Sequence, residues 1–367
     1  MRTLKFKKIT RKFLLIFLLL LSTSFCAYAQ QFMAARPSEI TNSSPERFYN
    51  AETFTVRSFT NPVIFSCYSH VISTETGNIL IDCGYYDTDI KDYIKSIGGV
   101  NAVLLSHCHV DHIVGLNALK KDHPDMKVYI HSLDLGGLYD VYVNYSFERL
   151  ISEPFIIDFE VLPLEEGEYN FAGSKVKVIS SAGHSPGSVL YYFEDKGLLF
   201  LGDSLAFGGL PRYDLKNSNV PALFESVMRL KHLGIPADTR VFFGHGEHIS
   251  YGDMLKNFNC FNKNLSLSIK TPDGNIKPVE DFYFDGDTLM IALQEAAKYF
   301  YDAKTGTAVL YMPDMSRLKV KAGSPEAEFN DFIINMKSPA QLRDEKIYLS
   351  GKFIAEIFKP FIKWELK

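Results

Sequence analysis

The sequence predicts an α/β domain followed by a smaller α+β domain. Short β-rich runs alternate with amphipathic stretches between residues 51 and 264, and a different pattern of apolar and polar residues begins near Ser266. The chain has 367 residues, of which 46% are hydrophobic and 22% are charged. A chain of this length and composition has room for two globular domains, and it is neither a disordered, a collagen-like nor a disulfide-dense protein.

The elements of the first domain follow from the spacing of apolar residues, which repeats every two residues in strands and about every 3.6 in helices. Strands are predicted at 78–82, 102–106, 127–131, 175–181, 188–193, 197–202 and 240–244. Helices are predicted at 87–97, 113–121, 221–233 and 251–264. Loops that leave such strands with polar residues are where we expect the functional groups.

The first 29 residues have the three parts of a secretory signal. A basic start is followed by nine apolar residues, 13–21, and by the small-residue exit Ala27-Tyr28-Ala29. We expect cleavage before Gln30 and a protein that is secreted or extracytoplasmic, in a bacterial cell envelope. The alternative is an uncleaved membrane anchor, but nine apolar residues cover only about half of the roughly 20 that a spanning helix needs.

Charge argues against nucleic acid as a partner. Residues 1–29 carry six bases and no acid, so their removal would change the formal net charge from −4 to −10. An acidic protein binds the phosphate backbone poorly. Residues 30–50 are polar and show no apolar periodicity, so they are predicted to form a leader that lies on the surface or is loose.

Six consecutive residues after the predicted strand 102–106 carry four metal-binding groups. They read His107-Cys108-His109-Val110-Asp111-His112. His107 and His109 alternate along an extended loop and therefore point to one side, whereas the last two residues turn into the start of a helix and can face a neighbouring point. Neutral imidazoles with a carboxylate suit zinc better than manganese or iron. The segment therefore predicts a metal site with room for two ions.

This His-x-His-x-Asp-His segment, set between a strand and a helix, resembles the motif of the metallo-β-lactamase-fold metallohydrolase superfamily. The resemblance covers about 63–248 and implies a four-layer αββα sandwich with three further ligands at successive strand ends. The sequence supplies His184, Asp203 and His245 at those places. The implied ligand set is His107, His109 and His184 for one zinc ion, Asp111, His112 and His245 for the other, and Asp203 shared between them.

The resemblance also implies a hydrolytic reaction. Two zinc ions about 3.5 to 4 Å apart would lower the pKa of a bridging water from about 15.7 toward about 7. We expect the resulting metal-bridging hydroxide to attack the carbonyl of an ester, thioester, lactone or lactam in a small-molecule substrate. Asp111 would act as the catalytic residue that carries a proton to the leaving group.

Two further segments indicate which enzymes of the superfamily the chain resembles most. Gly-His-Ser-Pro-Gly-Ser at 183–188 and Gly-Asp-Ser at 202–204 resemble those of glyoxalase II-type thioester hydrolases, and similar segments occur in lactonases and in some β-lactamases. Lactamases with a cysteine metal ligand are disfavoured, because Asp203 stands where they have cysteine. The sequence does not exclude a β-lactamase whose first metal site consists of histidines only.

Residues that contact the substrate are harder to predict. The loop 205–219 directly after Asp203 holds Phe207, Arg212 and Tyr213, and it can form a wall of the active site. In that position Arg212 would bind an anionic group of the substrate. The aromatic-rich insertion 133–155 is a second candidate wall, although aromatic residues at near-helical spacing pack into cores more often than they bind ligands.

The last hundred residues, 265–367, contain what resembles a degenerate repeat of strand, helix and strand. The second copy has an apolar strand at 346–349, Phe-Ile-Ala-Glu at 353–356 and then Trp364, and a weaker copy lies about 58 positions earlier. This pattern resembles the copper amine oxidase N-terminal-like (stalk) domain. The region has no histidine or acidic cluster, so we assign it no metal and no catalysis, and expect at most contact with the cell envelope.

Two alternatives remain at this point. The chain could be a non-catalytic metal-binding scaffold attached to the envelope through its C-terminal domain, although a complete ligand set argues against it. Cys67 and Cys83 flank a predicted strand pair, so a cross-strand disulfide is conceivable, but two buried free thiols are favoured because cross-strand bridges are often strained.

Overall fold

The computed structural model describes residues 48–60, 67–147, 153–262, 265–271 and 274–366. The predicted signal peptide and residues 30–47 of the predicted leader lie outside the described residues. The last three residues of that leader, Phe48–Asn50, form an edge strand that pairs antiparallel with Phe54–Phe59. Of the helices in the described part of the chain, none has the length and apolarity of a membrane span.

The first sheet has seven strands that lie side by side in chain order. Strands one to four pair with their neighbours antiparallel. Strands four to seven pair with their neighbours parallel. The strands are β1 Phe48–Asn50, β2 Phe54–Phe59, β3 Ser69–Thr74, β4 Gly77–Ile81, β5 Ala102–Leu104, β6 Lys127–His131 and β7 Leu162–Leu164.

The second sheet has six strands, again in chain order, with a single parallel pair between its fourth and fifth strands. The strands are β8 Gly167–Phe171, β9 Ser174–Ser180, β10 Val189–Phe193, β11 Leu198–Phe200, β12 Arg240–Phe242 and β13 Ile249–Ser250. All seven strands predicted from the sequence are present in the two sheets, with ends within two residues of the predicted ones.

Helices cover the outer faces of both sheets. They are α1 Thr88–Ser96, α2 Val110–Ile113, α3 Leu116–Asp122, α4 Ser132–Leu135, α5 Val220–Lys231, α6 Tyr251–Asn257 and α7 Asn259–Asn262, with 3-10 turns at Gly136–Tyr139 and Glu194–Lys196. The helix predicted at 113–121 is divided at Gly115, where a Cβ atom would lie 2.7 Å from Cys83 Sγ. The helix predicted at 251–264 is likewise divided, at Phe258.

Alternation along the central strands produces the predicted four layers, α-β-β-α. Ile79 and Ile81 face the core between the two sheets, whereas Leu80 faces the helical layer that contains α1 and α3. In the second sheet Tyr191 faces the inter-sheet core, and its neighbour Leu190 faces α5. Because side chains alternate along a strand with period two, each apolar strand can serve two cores.

The C-terminal region is richer in strands than predicted. The strands are β14 Leu267–Lys270, β15 Ile276–Pro278, β16 Phe282–Asp285, β17 Thr288–Ala292, β18 Phe300–Asp302, β19 Thr307–Tyr311, β20 Arg317–Lys321, β21 Glu326–Phe329, β22 Phe332–Asn335, β23 Gln341–Arg343, β24 Lys346–Ser350 and β25 Lys363–Leu366. They form three sheets with the orders β15-β14-β25, β16-β17-β24-β23 and β18-β19-β20-β21-β22. The helices of this region are α8 Leu293–Ala296 and α9 Gly351–Phe358.

The predicted repeat is visible in the second of these sheets. β17 leads into α8 and β24 leads into α9, and the two strands pair antiparallel with Ile291 opposite Leu349. The helix of the first copy is a single turn, shorter than that of the second copy, and the chain soon returns to the strand that begins at Phe300.

A buried histidine ties the two sheets together. Ser58 Oγ lies 2.8 Å from His70 Nδ1, and His70 Nε2 donates to the carbonyl oxygen of Phe243 at 3.1 Å. Burial lowers the pKa of His70 from 6.5 to about 4. The folded protein therefore keeps this ring neutral at pH values where the unfolded chain binds a proton.

This shift predicts a specific loss of stability in acid. Between pH 6.5 and about 4 the unfolded chain carries one more proton at His70 than the folded protein does. The free energy of unfolding should therefore decrease as the pH is lowered, by up to about 1.4 kcal/mol per pH unit. His70→Asn should remove this part of the slope. Denaturant unfolding of the metal-free protein between pH 7.5 and 4 measures it, and identical slopes for both proteins would show that the ring contributes none of it.

Candidate metal centre

The predicted ligands leave the ends of strands in both sheets and meet at one edge of the sandwich. The segment 107–112 follows β5 and enters α2, His184 lies between β9 and β10, and Asp203 and His245 follow β11 and β12. Gly202 adopts a φ of +50°, and Gly244 is so close that a Cβ atom there would lie 2.5 Å from Asp203 Oδ1. Glycine at these positions lets the strand ends approach each other.

All seven predicted ligands converge. Three groups have potential ligand atoms within 4.8 Å of one another, namely His107, His109 and His184; His107, His112 and Asp203; and Asp111, His112 and His245. His109 Nδ1 lies 2.9 Å from His184 Nε2, and His245 Nε2 lies 3.1 Å from Asp111 Oδ2. The first and third groups match the two ligand sets implied by the sequence motif.

Asp203 lies between these two groups. Its Oδ1 is 3.3 Å from His112 Nε2, and its Oδ2 is 3.5 Å from His184 Nε2 and 3.6 Å from His245 Nε2. A carboxylate that reaches imidazoles of both groups has the position expected of a shared ligand.

The donor atoms fit a metal. His107 Nε2 and His109 Nε2 are buried and have no hydrogen-bond partner in the described structure. Buried polar atoms without a partner are costly, and a bound cation is one way to satisfy them. Three imidazoles on one side and a mixed imidazole and carboxylate set on the other match the ligands that Zn²⁺ takes in proteins.

Burial keeps one ligand group neutral. It lowers the pKa of His107, His109 and His184, and other imidazoles of the cluster lower the first two further. A metal ligand must be deprotonated, so these rings need lose no proton near neutral pH.

The second group is governed by its carboxylates. Burial disfavours the charged form of His245, but Asp203 and Asp111 outweigh this and raise its pKa. Burial also opposes ionisation of Asp203, yet His245 and His112 hold the pKa of its carboxyl well below its usual range. Metal binding at this group must therefore compete with a proton on His245.

Hydrogen bonds fix the orientation of the ligand rings. Asp82, at a φ of +56° after β4, accepts from Ser106 N and Ser106 Oγ at 2.7 Å each and from His112 Nδ1 at 2.8 Å. Because the Ser106 hydroxyl proton is directed to Asp82, its oxygen accepts from His107 Nδ1 at 3.0 Å. His184 Nδ1 donates to the carbonyl oxygen of Arg212 at 2.7 Å. Each of these rings thus keeps Nε2 for the centre.

Asp134 connects two of the ligand loops. This buried carboxylate accepts from Cys108 N at 3.0 Å, from Ser185 Oγ at 2.7 Å and from Gly187 N at 2.6 Å. Cys108 lies between two ligands in sequence, and Ser185 follows His184. Asp134 therefore fixes the loop 107–109 relative to the loop that carries His184.

Asp134→Asn is expected to loosen the all-histidine group without touching it. An amide keeps the shape but presents an NH₂ group to at least one of the three donors. By analogy with other groups that orient metal ligands, affinity for the first ion should fall about 10- to 100-fold. Competition with a chelator measures the affinity, with Asp125→Asn as an exposed control, and equal affinities in both variants would refute a role for Asp134.

Neither orienting carboxylate was predicted from the sequence. The signal that was available for Asp82 is its place directly after a buried strand, next to a strand that ends in metal ligands. Asp134 gave no comparable signal, because its partners come from two loops that only the fold brings together.

The three predicted substrate residues have other partners in the structure. Phe207 packs edge-on against Phe243 and Phe258, and Tyr213 packs against the same core. Arg212 forms a two-pronged ion pair with Asp214, at 2.9 Å for each contact, so its charge is already partly neutralised. Their contacts with substrate stay predictions, while the backbone of Arg212 has a role in orienting His184.

The cysteines near the centre are free. Cys67 and Cys83 are both buried thiols. β3 and β4 pair with His70 opposite Ile81, a register one residue away from the pairing that would place the two thiols opposite each other. Burial raises the pKa of Cys67 to about 11, and it also raises that of Cys83.

Comparison with known proteins agrees with this geometry. Residues 63–245 match the metallo-beta-lactamase superfamily. The chain is 35% identical over 169 residues to the probable metallo-hydrolase YqgX of Bacillus subtilis, a match that covers 46% of this chain and 79% of that protein. The chain belongs to the metallo-β-lactamase superfamily. Its metal-ligand motif, its αββα layers and its relatives together identify a hydrolase.

Further members of the superfamily give the same result. A hydroxyacylglutathione hydrolase of a Synechococcus strain is 31% identical over 145 residues, which are 39% of this chain and 48% of that protein. The crystal structure of the BLEG-1 B3 metallo-beta-lactamase superposes with a TM-score of 0.51 and 26% identity, covering 57% of this chain and 99% of that one. Residues 283–367 match the copper amine oxidase N-terminal domain, as the C-terminal motif indicated.

Proposed function

We propose that this superfamily member is a dinuclear zinc hydrolase of small acyl compounds that acts outside the cytoplasm. The observation that carries the proposal is the convergence of five imidazoles and two carboxylates into overlapping groups, with Asp203 between them. His107, His109 and His184 would hold one ion, Asp111, His112 and His245 the other, and Asp203 both. The extracytoplasmic location rests on the secretory pattern of residues 1–29.

When bound, the two ions supply Lewis acidity and make hydroxide available near neutral pH. The chain's own residues supply the rest. Asp82, Ser106 and the Arg212 carbonyl hold the imidazoles in one orientation, which avoids reorganisation during the reaction. Asp111 Oδ2, held 3.1 Å from His245 Nε2, is the carboxylate we assign to carry a proton to the leaving group.

Thioesters come first among the candidate substrates. Relatives about 31% identical are named hydroxyacylglutathione hydrolase, and the segments at 183–188 and 202–204 resemble those of thioester hydrolases. Lactones and lactams follow, because a superposable neighbour is a B3 metallo-beta-lactamase. An extracytoplasmic enzyme would meet thioesters other than the glutathione conjugates of the cytosol.

Purified protein lacking residues 1–29 should contain two zinc ions per chain by elemental analysis. It should hydrolyse at least one of a simple thioester, a homoserine lactone and nitrocefin, and a chelator should abolish that activity reversibly. Two bound ions with no turnover on any of these acyl compounds would favour the non-catalytic scaffold. Turnover that survives complete metal removal would contradict the proposal outright.

A further inference from the structure

The backbone around His184 packs against the start of helix α5 and forms hydrogen bonds with the residues there. Asn219 N donates to the Gly183 carbonyl at 2.8 Å, and Ser218 Oγ donates to the His184 carbonyl at 3.0 Å. Gly183 lies so close that a Cβ atom there would be 2.4 Å from Leu223 Cα. The first turn of α5 and the residues before it therefore set the position of this metal ligand.

The loop that leads into α5 depends on contacts with other elements for its order. Residues 205–219 contain no helix or strand beyond one isolated bridge between Ala206 and Gly209. This loop supplies the Arg212 carbonyl that orients His184. A segment with few regular hydrogen bonds of its own opens easily unless its neighbours hold it.

The C-terminal region holds α5 through a buried carboxylate. Glu225 is only 8% exposed, and its Oε2 accepts from Leu289 N in β17 at 2.9 Å. Its Oε1 pairs with Lys352 Nζ in α9 at 2.5 Å. Both partners come from the C-terminal region, so removal of the Glu225 side chain would leave a buried amide and an ammonium group without their acceptor.

Helix α9 also reaches the loop itself. Asn219 Nδ2 donates to the Lys352 carbonyl at 3.3 Å, and Lys359 Nζ donates to the carbonyl of Lys216. At the start of α9 a Cβ atom on Gly351 would lie 3.1 Å from Pro221 Cβ. Leu223 of α5 and Phe353 of α9 belong to one continuous apolar core.

We propose that the C-terminal region is a structural part of the metal centre rather than a detachable stalk. Through Glu225 and Lys359 it holds α5 and the loop 205–219, and these in turn hold His184 and its orienting carbonyl. Glu225 and Lys359 are thus positioning residues, because neither contacts a ligand. The inference goes beyond the proposed hydrolase activity, since it concerns what keeps the centre assembled.

Two variants of the chain lacking residues 1–29 test this coupling from its two sides. Glu225→Ala removes the buried acceptor, and Lys359→Met removes only the contact with the loop. Glu356→Ala, on the exposed face of α9, is the matched control. The first readout is hydrogen–deuterium exchange of the metal-free protein, and the second is zinc affinity measured by chelator competition.

We expect both variants to speed exchange of the Asn219 amide and of the loop 205–219 about 10-fold or more, while amides of β5 and β10 keep the wild-type rate. Zinc affinity should fall about 10- to 100-fold, as when other groups that orient metal ligands are lost. Glu225→Gln, which retains an acceptor for Leu289 N, should restore much of the difference. The control should match the wild type in both measurements.

Three results would overturn the inference. One is unchanged loop exchange and zinc affinity in Glu225→Ala despite faster exchange of the Leu289 amide, which would show a loosened interface without effect on the centre. Another is a uniform increase at all amides, which would mark a general loss of stability. If Glu225→Ala does not fold, wild-type behaviour of Lys359→Met is decisive against it. Neither readout needs a substrate, so failure of the proposed hydrolysis would leave this test intact.

Discussion

Asp203→Ala is expected to lower kcat/KM for the best acyl substrate by at least about 10³-fold, since two bound ions would supply several kcal/mol of transition-state stabilisation and each 1.36 kcal/mol is a factor of ten. The physical reason is the position of the side chain, whose oxygens lie within 3.3 to 3.6 Å of three different imidazoles. Loss of this carboxylate would leave both ligand groups incomplete and would remove the negative charge that we propose to lie between two bound cations.

Steady-state kinetics and elemental analysis of the same sample measure this effect. The variant should hold fewer than two ions per chain at zinc concentrations that saturate the wild type. Asp125→Ala, which removes an exposed carboxylate, should behave as the wild type. Full activity and two ions in Asp203→Ala would mean that this carboxylate does not join the two groups.

His109→Ala should disable the all-histidine ligand group and leave the other group intact. Its Nδ1 is 2.9 Å from His184 Nε2, and it belongs only to the all-histidine group. We expect the protein to retain at most one ion, held by Asp111, His112 and His245, and to lose activity by about 10³-fold or more, because a carbonyl can no longer be polarised on that side.

The distinguishing measurement is metal stoichiometry at a graded series of zinc concentrations. Wild-type protein should show two binding steps, and His109→Ala should lack the one that belongs to the all-histidine group. His232→Ala, a change at an exposed histidine, is the control. Two unchanged binding steps in His109→Ala would assign the first ion to other residues.

Much of the metal-bearing domain could be predicted from sequence, because its information is local. The buried strands Ala102–Leu104 and Leu198–Phe200 are short apolar runs, and a predicted ligand follows each of them within three residues. The prediction failed in detail at Gly115, because its N–H donates to the carbonyl oxygen of Cys83, a residue distant in sequence, instead of continuing the helix. The converging side chains were predictable because the segment 107–112 supplies four of them and the ends of later strands supply the other three.

What could not be predicted depends on pairs of distant residues. The carboxylate of Asp134 has hydrogen-bond partners 26, 51 and 53 positions away in the sequence, and the apolar periodicity of the sequence gives no sign of these contacts. The C-terminal strands were underestimated because partly exposed strands such as Phe332–Asn335 lack clear alternation. The ion pair between Arg212 and Asp214 is a different case, because the two residues are only two positions apart and the sequence still left the Arg212 charge free to bind substrate.

If the seven converging side chains hold two metal ions, zinc bound to the crystalline protein must lie among them. Crystals grown with zinc and measured at the zinc absorption edge locate the ions. We expect two anomalous peaks, one among His107, His109 and His184 and one among Asp111, His112 and His245, with Asp203 between them. A single peak, or peaks located away from these residues, would show that the seven side chains do not hold two ions.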